Sequence, residues 1–170
     1  MKSKSMELHK KLSPKDINCG IITLSDSKSR EDSSNDRSGH YIKEKLEAKY
    51  TIKLKKIIPD EKDLLIKTIE EMITEKIDVI ITTGGTGIES RDITIETVEP
   101  LFDKKLDGFG EIFRQKSYEE LGSGALLSRA TAGIYKKVII ISMPGSPNAV
   151  QTGLEIFINE LNHLVNHARR

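Results

Sequence analysis

Cysteine is nearly absent: Cys19 is the only one among 170 residues. An intrachain disulfide framework is therefore excluded, as is a cysteine-based zinc site. Cys19 lies among Ile17, Ile21 and Ile22, where a buried, unreactive thiol in a reducing, cytoplasmic setting is expected. Long hydrophobic runs are missing too, and no stretch approaches the ~20 apolar residues of a membrane span. The first sixteen residues carry five lysines and no apolar stretch, so residues 1–16 read as a flexible tail rather than a secretory signal. Neither charge is in excess. The 27 Lys+Arg against 26 Asp+Glu leave a formal +1, without the positive field of a nucleic-acid binder. Repeats and low-complexity segments do not occur.

What remains, residues 17–170, suits a single domain able to bury roughly 70% of its unfolded surface. Strand-like and helix-like segments alternate along it. Residues 17–24, 51–58, 77–83, 131–135 and 137–143 read as strands. Residues 51–58 alternate as a half-covered or edge strand does, and Val138 to Ile141 form the most apolar tetrapeptide, expected at the sheet centre. Helical spacing covers 39–49, 61–75, 94–102, 110–120 and 123–128, with Pro100 ending or kinking the third. A last helix opens at Pro144-Gly145-Ser146-Pro147 and carries an apolar stripe of Val150, Leu154, Phe157, Leu161 and Val165. Residues 25–38 form a polar loop. Asp60 is placed as the cap of the second helix and Thr94 as the cap of the third. The pattern predicts an α/β fold, three layers α/β/α around a mainly parallel sheet.

Ligands of open parallel sheets bind beyond the carboxyl ends of the strands. Ser25-Asp26, Asp60, residues 84–92 and Pro144 to Pro147 all fall at such ends. In Thr83-Gly84-Gly85-Thr86-Gly87 the glycines permit positive φ, so successive N–H groups can converge into an anion nest. The same triplet also suits a plain tight turn. It is neither a P-loop nor a dinucleotide fingerprint, because no GK[ST] or G-x-G-x-x-G is present. Arg91 suits a phosphate and Asp92 a magnesium ion or a helix cap. Free N–H groups at the Pro144–Pro147 turn could bind an anion. His163 and His167 stand four apart on a helix, but no glutamate follows His163, and a terminal turn suits cationic side chains without any metal.

Six stretches in chain order carry a resemblance. They are Asp36-Arg37-Ser38-Gly39, Ile58-Pro59-Asp60-Glu61, Thr83 to Gly87 with Arg91-Asp92-Ile93-Thr94, Gly108-Phe109-Gly110-Glu111, Ser128-Arg129-Ala130, and Pro144-Gly145-Ser146-Pro147. Together they resemble the MoaB/Mog family of molybdenum-cofactor biosynthesis proteins. The resemblance implies that family's molybdopterin-binding fold, a homotrimer or homohexamer, and an enzyme that moves AMP from magnesium-ATP onto the terminal phosphate of molybdopterin, releasing pyrophosphate. It implies Asp60 and Asp92 as the catalytic pair and as magnesium ligands. It implies a nucleotide and molybdopterin site formed by Ser25, Asp26, Thr83, Gly84, Gly85, Thr86, Gly87, Arg91, Glu111, Ser128, Arg129, Pro144, Gly145, Ser146 and Pro147. A downstream metal-insertion protein would use the product. A non-catalytic molybdopterin-binding or carrier protein would use the same pocket, and an oligomeric scaffold would use none.

Overall fold

The computed structural model describes residues 16–26 and 35–170. The expected tail, apart from Asp16, and residues 27–34 of the polar loop lie outside the described residues. Six strands form one sheet in the order β2-β1-β3-β6-β5-β4. They are β1 (Asn18–Leu24), β2 (Thr51–Ile58), β3 (Val79–Thr83), β4 (Lys104–Lys105), β5 (Thr131–Tyr135) and β6 (Val138–Met143). The first three and β6 are mutually parallel, while β5 runs antiparallel to β6 and β4 to β5. As expected, β2 is an edge strand and β6 is fully buried between two neighbours.

Alternation along the buried strands builds two cores. Ile21, Val79, Ile81, Ile139 and Ile141 face one way, toward α1 (Arg37–Glu47), α4 (Asp107–Leu121), α5 (Pro147–Phe157) and α6 (Leu161–Ala168). Ile22, Ile80, Val138 and Ile140 face the other, toward α2 (Lys62–Thr74) and α3 (Thr94–Val98). This is the three-layer arrangement. Each buried branched side chain contributes about 1.5–3 kcal/mol. Cys19 is fully buried, and burial, with Asp78 nearby, pushes its thiol up to about 12, which keeps it protonated and inert. No helix among the described residues is long and apolar enough to cross a membrane.

Several expected boundaries move. The helix expected at 39–49 starts at Arg37, because Asp36 caps it by accepting from the Gly39 N–H at 3.0 Å. Asp60 does not cap α2. The cap position is Glu61, without a side-chain bond, and the Asp60 carboxylate turns to Asp26 instead. Nor does Thr94 cap α3: it is the first helical residue, and its hydroxyl donates to the Gly84 carbonyl at 2.8 Å. α3 ends at Val98 and passes into a 3₁₀ turn, Glu99–Leu101, that contains Pro100. Residues 122–127 are likewise 3₁₀ rather than α. The last helix is two helices. The break falls where Tyr50 Oη donates to the Ile158 carbonyl at 2.8 Å and Lys49 reaches Asn159, tying the chain to the end of α1. β4 has only two exposed lysines, so no apolar pattern announced it.

Candidate active site

The sheet register decides what meets at the site. Leu24 is level with Ile58, Thr23 with Thr83, and Thr83 with Met143. The residues that follow, Ser25-Asp26, Pro59-Asp60, Gly84 onward and Pro144 onward, therefore leave the sheet along one edge. Because β5 is antiparallel, it begins at that same edge, with Thr131 beside Ser142, and delivers Ser128 and Arg129 there.

The glycine loop is forced by its surroundings. Gly84 (φ 98°) and Gly85 (φ 61°) hold left-handed conformations that favour glycine. A Cβ on Gly84 would lie 2.3 Å from the Leu24 carbonyl oxygen, and one on Gly85 would lie 2.5 Å from Asp60 Oδ1. The Gly84 N–H donates to the Met143 carbonyl (3.1 Å) and the Thr94 N–H to the Gly85 carbonyl (2.9 Å). The N–H groups of Gly85, Thr86 and Gly87 meet no acceptor among the described residues. Thr83 spends its hydroxyl proton on the Pro144 carbonyl (3.1 Å), and Thr86 is buried. The donors left in this loop are thus mainly backbone.

Asp92 closes the loop rather than a helix: its Oδ2 accepts from the Glu89 N–H at 2.9 Å, and its own N–H donates to the Glu89 carbonyl at 2.9 Å. Asp60 and Asp26 are joined reciprocally. The Asp26 N–H donates to Asp60 Oδ2 (3.2 Å) and the Asp60 N–H to Asp26 Oδ1 (3.1 Å). Asp60 Oδ1 is buried with no hydrogen-bond partner among the described residues. Burial, then the negative charges of Asp26 and Asp92, raise the Asp60 carboxyl above the ordinary carboxylate range, against the opposing pull of the Asp26 N–H and of Arg91.

The arginines are less committed. Arg91 is exposed and pairs with Glu89 at 2.9 Å. Arg129 pairs with Glu96 of α3 and, with Lys105, helps hold Glu99 below the ordinary range against burial. Glu111 is exposed on α4, one residue past Gly110, where a Cβ would lie 2.8 Å from the Ala130 carbonyl. The last helix opens at Pro144 to Pro147, as the sequence predicted; Ser146 caps α5 by accepting from the Ala149 N–H, with Pro147 in the first turn. His163 and His167 meet edge-to-face with ring centroids 4.6 Å apart, and no set of three metal-ligating side chains occurs among the described residues.

Sequence reasoning missed two features. One is the Asp26–Asp60 exchange, between residues 34 apart in sequence, which no local pattern reports. The other is the Asp36 node: its carboxylate accepts from the Gly39 N–H, from Thr23 Oγ1 (3.0 Å) and from Lys55 Nζ (2.8 Å), while Ser38 Oγ donates to the Gly145 carbonyl at 2.6 Å. An aspartate three residues before Gly39 at a helix start was a usable capping signal.

Residues 20–163 match the family described as "Probable molybdopterin binding domain". The chain belongs to that family. It is 49% identical over 168 residues to the molybdopterin adenylyltransferase of Pyrococcus furiosus, covering 96% of this chain and 98% of the relative. It is 46% identical to a protein of Methanocaldococcus jannaschii named "Probable molybdopterin adenylyltransferase", covering 95% and 99%. Its fold matches the crystal structure of the tungsten cofactor synthesizing protein MoaB from Pyrococcus furiosus with a TM-score of 0.87 at 48% identity, over 93% of this chain and 100% of that one.

Proposed function

We infer that this chain acts in molybdenum cofactor biosynthesis as a molybdopterin adenylyltransferase. A terminal phosphate oxygen of molybdopterin attacks the α-phosphorus of ATP. The new P–O bond forms as the bond to the β-phosphate bridging oxygen breaks, giving adenylyl-molybdopterin and pyrophosphate. Such a transfer asks the protein for positioning and charge neutralisation more than for covalent chemistry.

The observation that carries this reading is Asp60 Oδ1: a buried carboxylate oxygen without a hydrogen-bond partner among the described residues, set against Gly85 of the amide-lined loop. An acceptor left unsatisfied inside a protein is costly unless a ligand completes it. Hard oxygen donors of this kind fit Mg²⁺, which needs only one or two carboxylates when phosphates supply the rest. Asp60 and Asp92 would hold the ion, whose charge would offset that of the phosphates. The Gly85, Thr86 and Gly87 amides cradle phosphate oxygens. Arg91 and Arg129 offset further charge. Ser25 and Asp26 support Asp60, and Ser128, Glu111 and the Pro144–Pro147 turn line the remainder of the pocket.

The same reading includes residues 17–170 as one domain, a cytoplasmic setting and a homotrimer or homohexamer. Self-association is supported by an apolar series exposed on α4 and the following turn, Ile112, Tyr118, Leu121, Leu126 and Leu127. The product would pass to a metal-insertion protein. Incubating the chain with molybdopterin, ATP and magnesium tests the function. Adenylylated pterin and pyrophosphate in equal amounts are expected, and tight pterin binding without either product makes the chain a carrier.

A further inference from the structure

Ser38 sits outside every set of residues assigned above to the substrates. It is 4% exposed, and its hydroxyl donates to the carbonyl of Gly145, 107 residues away. The preceding carbonyl, of Pro144, accepts from Thr83. A trans peptide points its C=O and N–H in opposite directions within one plane. Pinning the Pro144 and Gly145 carbonyls therefore fixes the Gly145 and Ser146 N–H groups, turned away from Thr83 and Ser38 on the exposed side of the loop. Neither N–H has an acceptor among the described residues. Gly145 also lies against the glycine loop: a Cβ on it would be 3.4 Å from the Gly84 Cα. The two amide rows are neighbours.

Ser38 is itself held firmly. It occupies the first turn of α1, whose cap Asp36 is fully buried and tied to β1 through Thr23 and to β2 through Lys55. The latch thus refers the Pro144–Pro147 turn to the ends of strands β1 and β2, from which Asp26 and Asp60 project. Without the hydroxyl, the Gly145–Ser146 peptide keeps no side-chain hydrogen bond among the described residues, and its N–H can rotate away.

We propose that Ser38 is a positioning residue: through the Gly145 carbonyl it aims the Gly145 and Ser146 N–H groups at the phosphate chain of the nucleotide. This rests on the reading that the turn binds substrate phosphate. The test is pyrophosphate binding by calorimetry on the full chain, beside adenylylation kinetics and melting temperature, for wild type, Ser38→Ala and Ser38→Cys. Pyrophosphate affinity is expected to fall about 10-fold in the alanine variant, the ATP KM to rise by a similar factor, and the molybdopterin KM to stay within twofold. The cysteine variant preserves volume with a weak donor and is expected to lose affinity as well. It decides the matter if the alanine variant does not fold. A folded variant of either kind with wild-type pyrophosphate affinity and ATP KM overturns the proposal, as does a wild type that binds no pyrophosphate. Pyrophosphate affinity that depends on Ser38 in a wild type without AMP transfer leaves the positioning role standing and removes the enzymatic reading.

Discussion

Asp26 and Asp60 exchange backbone-to-carboxylate hydrogen bonds, at 3.2 and 3.1 Å, across the ends of two adjacent parallel strands. The exchange holds two carboxylates close enough that Asp26, added to burial, raises the cost of ionising Asp60, and it leaves Asp60 Oδ1 facing Gly85. A domain selected only for stability gains nothing from such a pair. A site that must meet a cation and phosphates does.

Replacing Asp60 by asparagine is therefore expected to separate stability from activity. The folded carboxyl titrates above its ordinary value of 3.8, so folding takes up protons there and the ionised form opposes folding at neutral pH. That opposition is relieved as pH falls through the raised value. The ligand-free variant should melt about 1–3 °C above wild type at pH 7, and the gap should close as pH is lowered toward 4. Turnover should drop by ~10² to 10³. Differential scanning calorimetry across pH, beside a turnover assay, checks both halves.

Asp36 has the opposite sign. Burial pushes its carboxyl up, but Lys55, the Gly39 N–H and Thr23 together hold it below the ordinary 3.8. Its contribution is complete above that value and is lost as pH falls through the lower folded one. Asp36→Asn should cost about 3 kcal/mol at pH 7, because Lys55 loses its partner in a largely buried setting. In urea unfolding series, the difference from wild type should shrink below pH 3.8.

Gly85→Ala is expected to hit activity and stability together. The new methyl meets Asp60 Oδ1 at 2.5 Å, and the left-handed backbone strains any L side chain. A loss of about 1–3 kcal/mol and at least ~10²-fold in turnover is predicted. Wild-type kinetics in a stably folded variant would show that Asp60 need not rest on the loop.

Arg91→Ala is the counter-case. Arg91 is exposed and its pair with Glu89 is a surface pair, so unfolding free energy should stay within about 0.5 kcal/mol of wild type. If Arg91 offsets phosphate charge, the KM for ATP rises roughly 10-fold, the ~1.4 kcal/mol of one charged contact.

The layered fold was legible because its signals are local. Ile80 and Ile81 show a buried strand, Ser146-Pro147 a helix start, and Gly84-Gly85 a turn that only glycine tolerates. The strand ends then placed the site. What escaped depends on contacts between segments far apart in sequence. Asp60 has the sequence of a helix cap, and only the neighbouring strand's Asp26 diverts it. Thr94 likewise has a cap's position, but Gly84 takes its hydroxyl. The continuous stripe from Val150 to Val165 hid a break that Tyr50 helps to fix. Ser38 looked like loop polarity until its bond to Gly145 gave it a partner.

The central claim is that the carboxylates beside the glycine loop carry AMP transfer. The most direct measurement follows label from the α-phosphate of ATP into molybdopterin for wild type, Asp60→Ala and Asp92→Ala, each shown to be folded. Label in the pterin with wild type, and a loss of at least ~10²-fold in each variant, is the predicted result. Wild-type transfer retained in both variants would contradict it.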